Sequence, residues 1–140
     1  MSPEGRRRVE FTFNTRPDIL AGRLIGVRIR LGNQLAEIVG TEWYPAEENT
    51  KGTYRKVYES EPGTLVATGY RNSVLPLVAA KGGACVLIRE IEVRNQEGKL
   101  ETVKGPGRVG EKLGLKKGDA RNLSMEDPHD LIFSLVEINR

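Results

Sequence analysis

The chain of 140 residues carries a single cysteine, Cys85, and a single histidine, His129. One thiol excludes an internal disulfide, and one thiol with one imidazole does not build a zinc site. Cys85 lies in the apolar run ACVLI, where inert burial is the expected state rather than nucleophilic chemistry. No apolar stretch is long enough to span a bilayer, and no signal peptide is recognisable at the N-terminus. A hydrophobic fraction of 38% leaves little apolar surface beyond what one core consumes. These absences predict a cytoplasmic protein with one core and no membrane partner. Internal repeats, heptads and low-complexity segments are missing as well.

Charge is present, and its distribution is more informative than its sum. The formal net charge is +3. Basic residues cluster at Arg6–Arg8, at Arg28 and Arg30, at Lys51, Arg55 and Lys56, and at Lys104, Arg108, Lys112, Lys116 and Lys117. Several clusters on one face would track a phosphate backbone with salt-dependent affinity; dispersed, they are solvated faces. Residues 1–8 read as a flexible basic arm and 9–140 as one domain.

Along the chain, strands outnumber helices. Asn14 or Thr15 can cap a helix with Pro17 in its first turn and Asp18 close behind, turning Ile19, Leu20 and Leu24 to the core. Ile25, Val27, Ile29 and Leu31 then alternate with Arg28 and Arg30, and Gly32-Asn33 turns the chain back, so 24–44 reads as a β-hairpin. Further strands are expected at 64–70, 74–80, 84–93 and 131–138, with 116–127 polar and turn-rich. Gly105-Pro106-Gly107 opens a short helix whose free N–H groups and Arg108 offer an anion site. The pattern predicts an α+β single domain with a mostly antiparallel sheet and a few short helices.

Two strands hold the chemistry. In AEIVGTEWY, 36–44, a period of two puts Ile38, Gly40, Glu42 and Tyr44 on one face and Val39, Thr41 and Trp43 on the other. A strand-borne Glu42 beside Tyr44 can serve as a general base next to a stacking platform; on spacing alone it also reads as a solvated edge carboxylate. In the apolar strand 84–93, Arg89 shares a face with Cys85, Leu87, Ile91 and Val93. An arginine there needs a carboxylate, and Glu42 is a candidate. Tyr70-Arg71, at a corner between strands, can project into a groove.

GRLIG at 22–26, AEIVGTEWY at 36–44, PGTL at 62–65, GACVLIRE at 83–90 and GPGRVGEKLGL at 105–115 together resemble the alkyladenine (3-methyladenine) DNA glycosylase family. The resemblance implies a mostly antiparallel curved sheet in a single domain. It also implies excision of alkylated or deaminated purines from double-stranded DNA by a cytoplasmic monomer, nucleoid-associated if prokaryotic, without metal or cofactor. Glu42 matches the catalytic glutamate, Tyr44 the base-stacking tyrosine, and Arg89 the arginine that helps hold the attacking water. Leu87 is expected among the base-binding residues. Where the family has a second stacking histidine this chain has Thr53, and where tyrosines line the pocket it has Val66 and Thr68. Tyr70 or Arg71 stands at the wedge, Val78 replaces the guanine-screening asparagine, and Arg55, Lys56 and Arg108 are expected on DNA. A noncatalytic nucleic-acid-binding module of the same fold is the alternative.

Overall fold

The computed structural model describes residues 17–31, 34–44, 55–70, 72–80, 83–124 and 132–137. The expected basic arm, the cap at Asn14 or Thr15, the 32–33 turn, Thr53 and Arg71 lie outside them.

Helix α1 (Pro17–Arg23) leads into β1 (Arg28–Leu31) and β2 (Gln34–Tyr44). A single helical turn, α2 (Arg55–Tyr58), precedes the hairpin of β3 (Thr64–Tyr70) and β4 (Ser73–Ala79). Strands β5 (Cys85–Arg94) and β6 (Leu100–Lys104) follow, then α3 (Pro106–Lys112), β7 (Ala120–Ser124) and β8 (Ile132–Glu137). This is the expected α+β domain with a mostly antiparallel, curled sheet. Only β1–β8 is parallel among the described pairings.

The sheet runs β2-β1-β8-β7-β3-β4-β5-β6, and β2 pairs again with β5, so seven strands join in a ring with β6 attached outside it. Along one edge β5 is paired with β2. Its other edge is divided, with Cys85–Leu87 on β4 and Glu90–Arg94 on β6. The change of partner falls at Arg89.

Apolar side chains collect in two clusters. The larger joins Leu20 and Ala21 of α1, Leu24 directly after it and Val109 of α3 to Ala36, Ile38, Val86, Ile88, Ile91 and Val93. The smaller gathers Val66, Leu75, Leu77, Ala79, Cys85 and Leu87 under Val57 of α2, with Tyr44 packed at its margin. Each fully buried Leu, Ile or Val contributes about 1.5–3 kcal/mol. Glycines set how closely α3 lies on β4: a Cβ on Gly110 would stand 2.2 Å from the Val74 carbonyl oxygen, and one on Gly107 2.9 Å from Ser73 Oγ.

Several expectations are corrected. Ile19 and Ile25 are exposed. Leu20 and Leu24, four residues apart, form the buried helix stripe that Ile19 precedes, and Ile25 falls in the turn after α1 rather than in a strand. The hairpin therefore starts at Arg28. β7 stands in the stretch expected to be polar and turn-rich, and β6 in one for which no element was expected.

Candidate functional site

The register between β2 and β5 slips twice within three residues. Ile38 faces Ile91, Gly40 faces Glu90, and Thr41 faces Ile88, after which regular pairing resumes with Glu42↔Leu87 and Tyr44↔Cys85. Val39 is thus an extra residue in β2 and Arg89 an extra residue in β5. Two compensating bulges lie side by side, a device that re-aims side chains next to active sites.

The slip overturns part of the predicted face. Gly40, Glu42 and Tyr44 still alternate with Thr41 and Trp43, but Ile38 belongs to the larger cluster on the other side. On β5, Val86 and Ile88 face that larger cluster before the slip, and Ile91 and Val93 after it. Arg89 consequently does not share an apolar face with Ile91 and Val93. It is 52% exposed rather than buried.

The side chains that the sequence set apart by 47 positions nevertheless meet. Arg89 Nη1 donates to Glu42 Oε1, forming an ion pair in which Glu42 is 41% exposed. The guanidinium is held above its usual pKa, first by the hydrogen bond to Glu42, second by that carboxylate's charge, and slightly by Tyr44, with burial opposing weakly. Among the described residues Glu42 Oε2 has no partner and stays open to a water. A pair this exposed is worth only about 0–1 kcal/mol to the fold. The pair by itself thus gives the fold little reason for the double bulge that interrupts the sheet ladder here.

Directly opposed residues point to the same side. Glu42 opposes Leu87, Leu87 opposes Leu77, and Leu77 opposes Val66, so one row crosses four strands. Leu87 is a buried floor and Tyr44 a half-buried wall. Thr68, opposite Leu75, lies one row along on the same side. It is 6% exposed, and its hydroxyl makes no hydrogen bond.

The expected DNA-contacting residues divide. Lys56 Nζ reaches from α2 to the Gly118 carbonyl at 2.8 Å. The stem of Lys117 lies over Gly69, within 3.0 Å of where a Cβ would be. Lys56 and Lys117 therefore both lie beside β3, and Lys117, with Lys116 before it in the chain, is an addition to the expected set. Arg55 opens α2 and Tyr70 ends β3, ahead of a turn in which Asn72 takes φ 70°. Arg108 is exposed in a cleft of about 250 Å3 with Glu101, Val103, Glu111 and Lys112, a mixed-charge setting apart from Glu42. The start of its helix is tied to the site all the same, because Gly105 N–H donates to the Arg89 carbonyl at 2.9 Å. Arg28 and Arg121 face Glu37 and Asp119 at 4.0 and 3.5 Å, so part of the positive charge is compensated locally.

Glu90 was missed. Its side chain fills the space that Gly40 leaves, with Cβ 2.9 Å and Oε1 3.5 Å from where a Gly40 Cβ would sit. An isolated glycine inside a strand is the signal for such a bulge. Among the described residues no helix is long and apolar enough to cross a membrane, and no group of three His, Cys, Asp or Glu could hold a metal. In comparisons with known proteins, no family model matches the chain and no curated protein matches its sequence.

Proposed function

We propose that the chain is a monofunctional DNA N-glycosylase acting on alkylated or deaminated purines, with Glu42 as general base and Arg89 as its positioning partner. The observation that carries this reading is the Glu42–Arg89 pair, half-exposed at a double bulge and bordered by Tyr44 and Leu87.

In this mechanism the nucleotide leaves the duplex, at a cost of a few kcal/mol, and Tyr44 returns part of the lost stacking. The free oxygen of Glu42 takes a proton from a water held between the carboxylate and the guanidinium. The water oxygen bonds to C1′, the C1′–N9 bond breaks, and its electron pair leaves with the base. Carboxylate charge offsets the cation that develops on the sugar. An N-alkylated base is already cationic and departs neutral; a deaminated base takes a proton from solvent. Lys56, Lys116 and Lys117 supply cationic contacts for phosphates.

A binding module of the same fold is the second reading, favoured by the direct Arg89 contact that occupies one Glu42 oxygen. Single-turnover base release from duplexes with hypoxanthine, 1,N6-ethenoadenine or 3-methyladenine separates the two. The glycosylase reading expects release by the wild type, and a loss of at least about 100-fold with binding retained in Glu42→Gln. Binding without release from any of these duplexes would leave the module.

A further inference from the structure

We propose that β6 is a self-pairing edge through which two copies of this chain form a two-fold symmetric dimer. The inference departs from the monomer that the glycosylase resemblance implies, and it does not rest on the glycosylase reading.

Among the described strands β6 alone has a single neighbour; every other strand has two. Closure of the ring thus leaves one strand with a free edge, the feature of a sheet most ready to pair with another chain. Which backbone groups it offers follows from the ladder. In an antiparallel pair the N–H and C=O of one residue point to the same side, and the side alternates along the strand. Asn95 N–H donates to the Lys99 carbonyl and Gly105 N–H to the Arg89 carbonyl, so Lys99, Glu101, Val103 and Gly105 turn to β5. Leu100, Thr102 and Lys104 turn their N–H and C=O groups outward, where no described residue takes them.

An antiparallel register centred on Thr102 uses all of these groups in both copies, and no other register does. Leu100 then faces Lys104 of the second copy, Thr102 faces Thr102, and Lys104 faces Leu100, each pair exchanging two hydrogen bonds. The side chains agree with this register. On the face shared with Glu92 and Arg94, threonine meets threonine, and the stem of Lys104 covers Leu100, which is 60% exposed in the single chain. On the other face Glu101 meets Val103 of the second copy. Lys112 holds Glu101 at 3.4 Å within its own chain. Only Gly105 separates β6 from α3, so the start of α3 places Arg108 toward Val103, in the same cleft and with no ion-pair partner among the described residues. Glu101 of the second copy, set down opposite Val103, lies about one strand spacing from that free guanidinium. No like charges are directly opposed. The two-fold axis stands perpendicular to the sheet, so Glu42 and Arg89 of both copies lie on one side of it.

Five residues from each copy make a small interface, and association through it is weak. The test is sedimentation velocity on the full chain from about 1 μM to about 1 mM, with circular dichroism confirming that each variant is folded. The wild type should pass from monomer to dimer across this range. Thr102→Pro should weaken association at least about tenfold, since it deletes the N–H donors at the centre of the contact. Its fold should persist, because that N–H takes no part in the β5 ladder and proline is tolerated on an edge facing away from it. Glu101→Arg and Arg108→Glu should each weaken association about three- to tenfold, and the double variant, with the charges exchanged, should return close to the wild type. Should Thr102→Pro fail to fold, the charge cycle decides alone. A wild type that stays monomeric throughout overturns the proposal and leaves the edge to a strand of another protein. A dimer indifferent to Thr102→Pro, or a double variant no tighter than the single ones, overturns β6 as its seam.

Discussion

Gly40→Ala tests whether the paired bulges are what bring Glu42 and Arg89 together. The added Cβ would stand 2.9 Å from Glu90 Cβ, where carbon atoms normally rest at about 3.5–4.0 Å. Neither atom is the free end of a side chain, so the strands must part by more than half an ångström, at a cost of about 1–3 kcal/mol. Reduced freedom of the unfolded chain returns about 0.4–1 kcal/mol, leaving a net loss of roughly 0.5–2 kcal/mol. Glu90→Gly removes the opposing Cβ and on its own costs about 0.5–1 kcal/mol for glycine in a strand. In the double variant the clash vanishes, so a denaturant-unfolding cycle should give a favourable coupling of about 1–2 kcal/mol. Arg89 is the neighbour of Glu90 in the bulge, and displacement of a positioning group by about 1 Å can cost about 100-fold in rate. Base release by Gly40→Ala should therefore fall about tenfold or more, beyond what lost stability explains at temperatures where the protein stays folded. Unchanged midpoint and rate, or a coupling near zero with Glu90→Gly, would refute the argument.

Gly110→Ala should be far more damaging, by about 3 kcal/mol or more in unfolding free energy, since its Cβ would lie 2.2 Å from a backbone oxygen that cannot move aside. Gly22→Ala, with nothing within 4 Å, is the control and should be neutral to stabilising. Arg89→Lys should introduce a pH dependence that the wild type lacks. The Arg89 pKa is raised in the folded protein, so its charged form contributes at every pH below the unfolded value and is lost only above the folded one, beyond the working range. A lysine titrates near about 10.4, and a pH–rate profile of the variant should fall on the alkaline side there while the wild type stays level in this respect.

Much of the sheet was legible because its strands are long and apolar. β3, β4 and β5 were placed within a residue or two, and the β1–β2 hairpin followed from alternation and a Gly-Asn turn. β6 was not, because LETVK buries only Val103 and shows no apolar stripe; it is a strand because β5 offers it an edge. β7 has the same history, with β3 and β8 on its two sides. The β2–β5 pairing that completes the ring has no local signal at all, since 40 residues separate Tyr44 from Cys85. Glu42 and Arg89 were paired correctly from the cost of a lone charge on an apolar strand, although the face assigned to Arg89 was wrong. Thr68 was expected on a pocket wall with Val66; both are buried, and only an orphan hydroxyl distinguishes Thr68.

The double bulge explains how a charge pair and an unbroken core coexist on the same two strands. A regular β5 would keep Ile91 and Val93 on the side of Leu87 and Cys85, away from Val86 and Ile88, because the side-chain period is two. One extra residue at Arg89 turns Ile91 and Val93 back to the larger cluster, where burial of each is worth about 1.5–3 kcal/mol. Made in β5 alone, that insertion would throw β2 out of register with every pair beyond it. The extra Val39 restores the pairing, and the Arg89 carbonyl accepts from Gly105 N–H on the edge of β5 that faces β6. Arg89 is then a residue that no core requirement claims, exposed directly after the four buried residues Cys85 to Ile88. That freedom, next to a glycine that makes room for Glu90 and two residues short of Glu42 on β2, lets a guanidinium and a carboxylate meet at the surface of the sheet without either being buried.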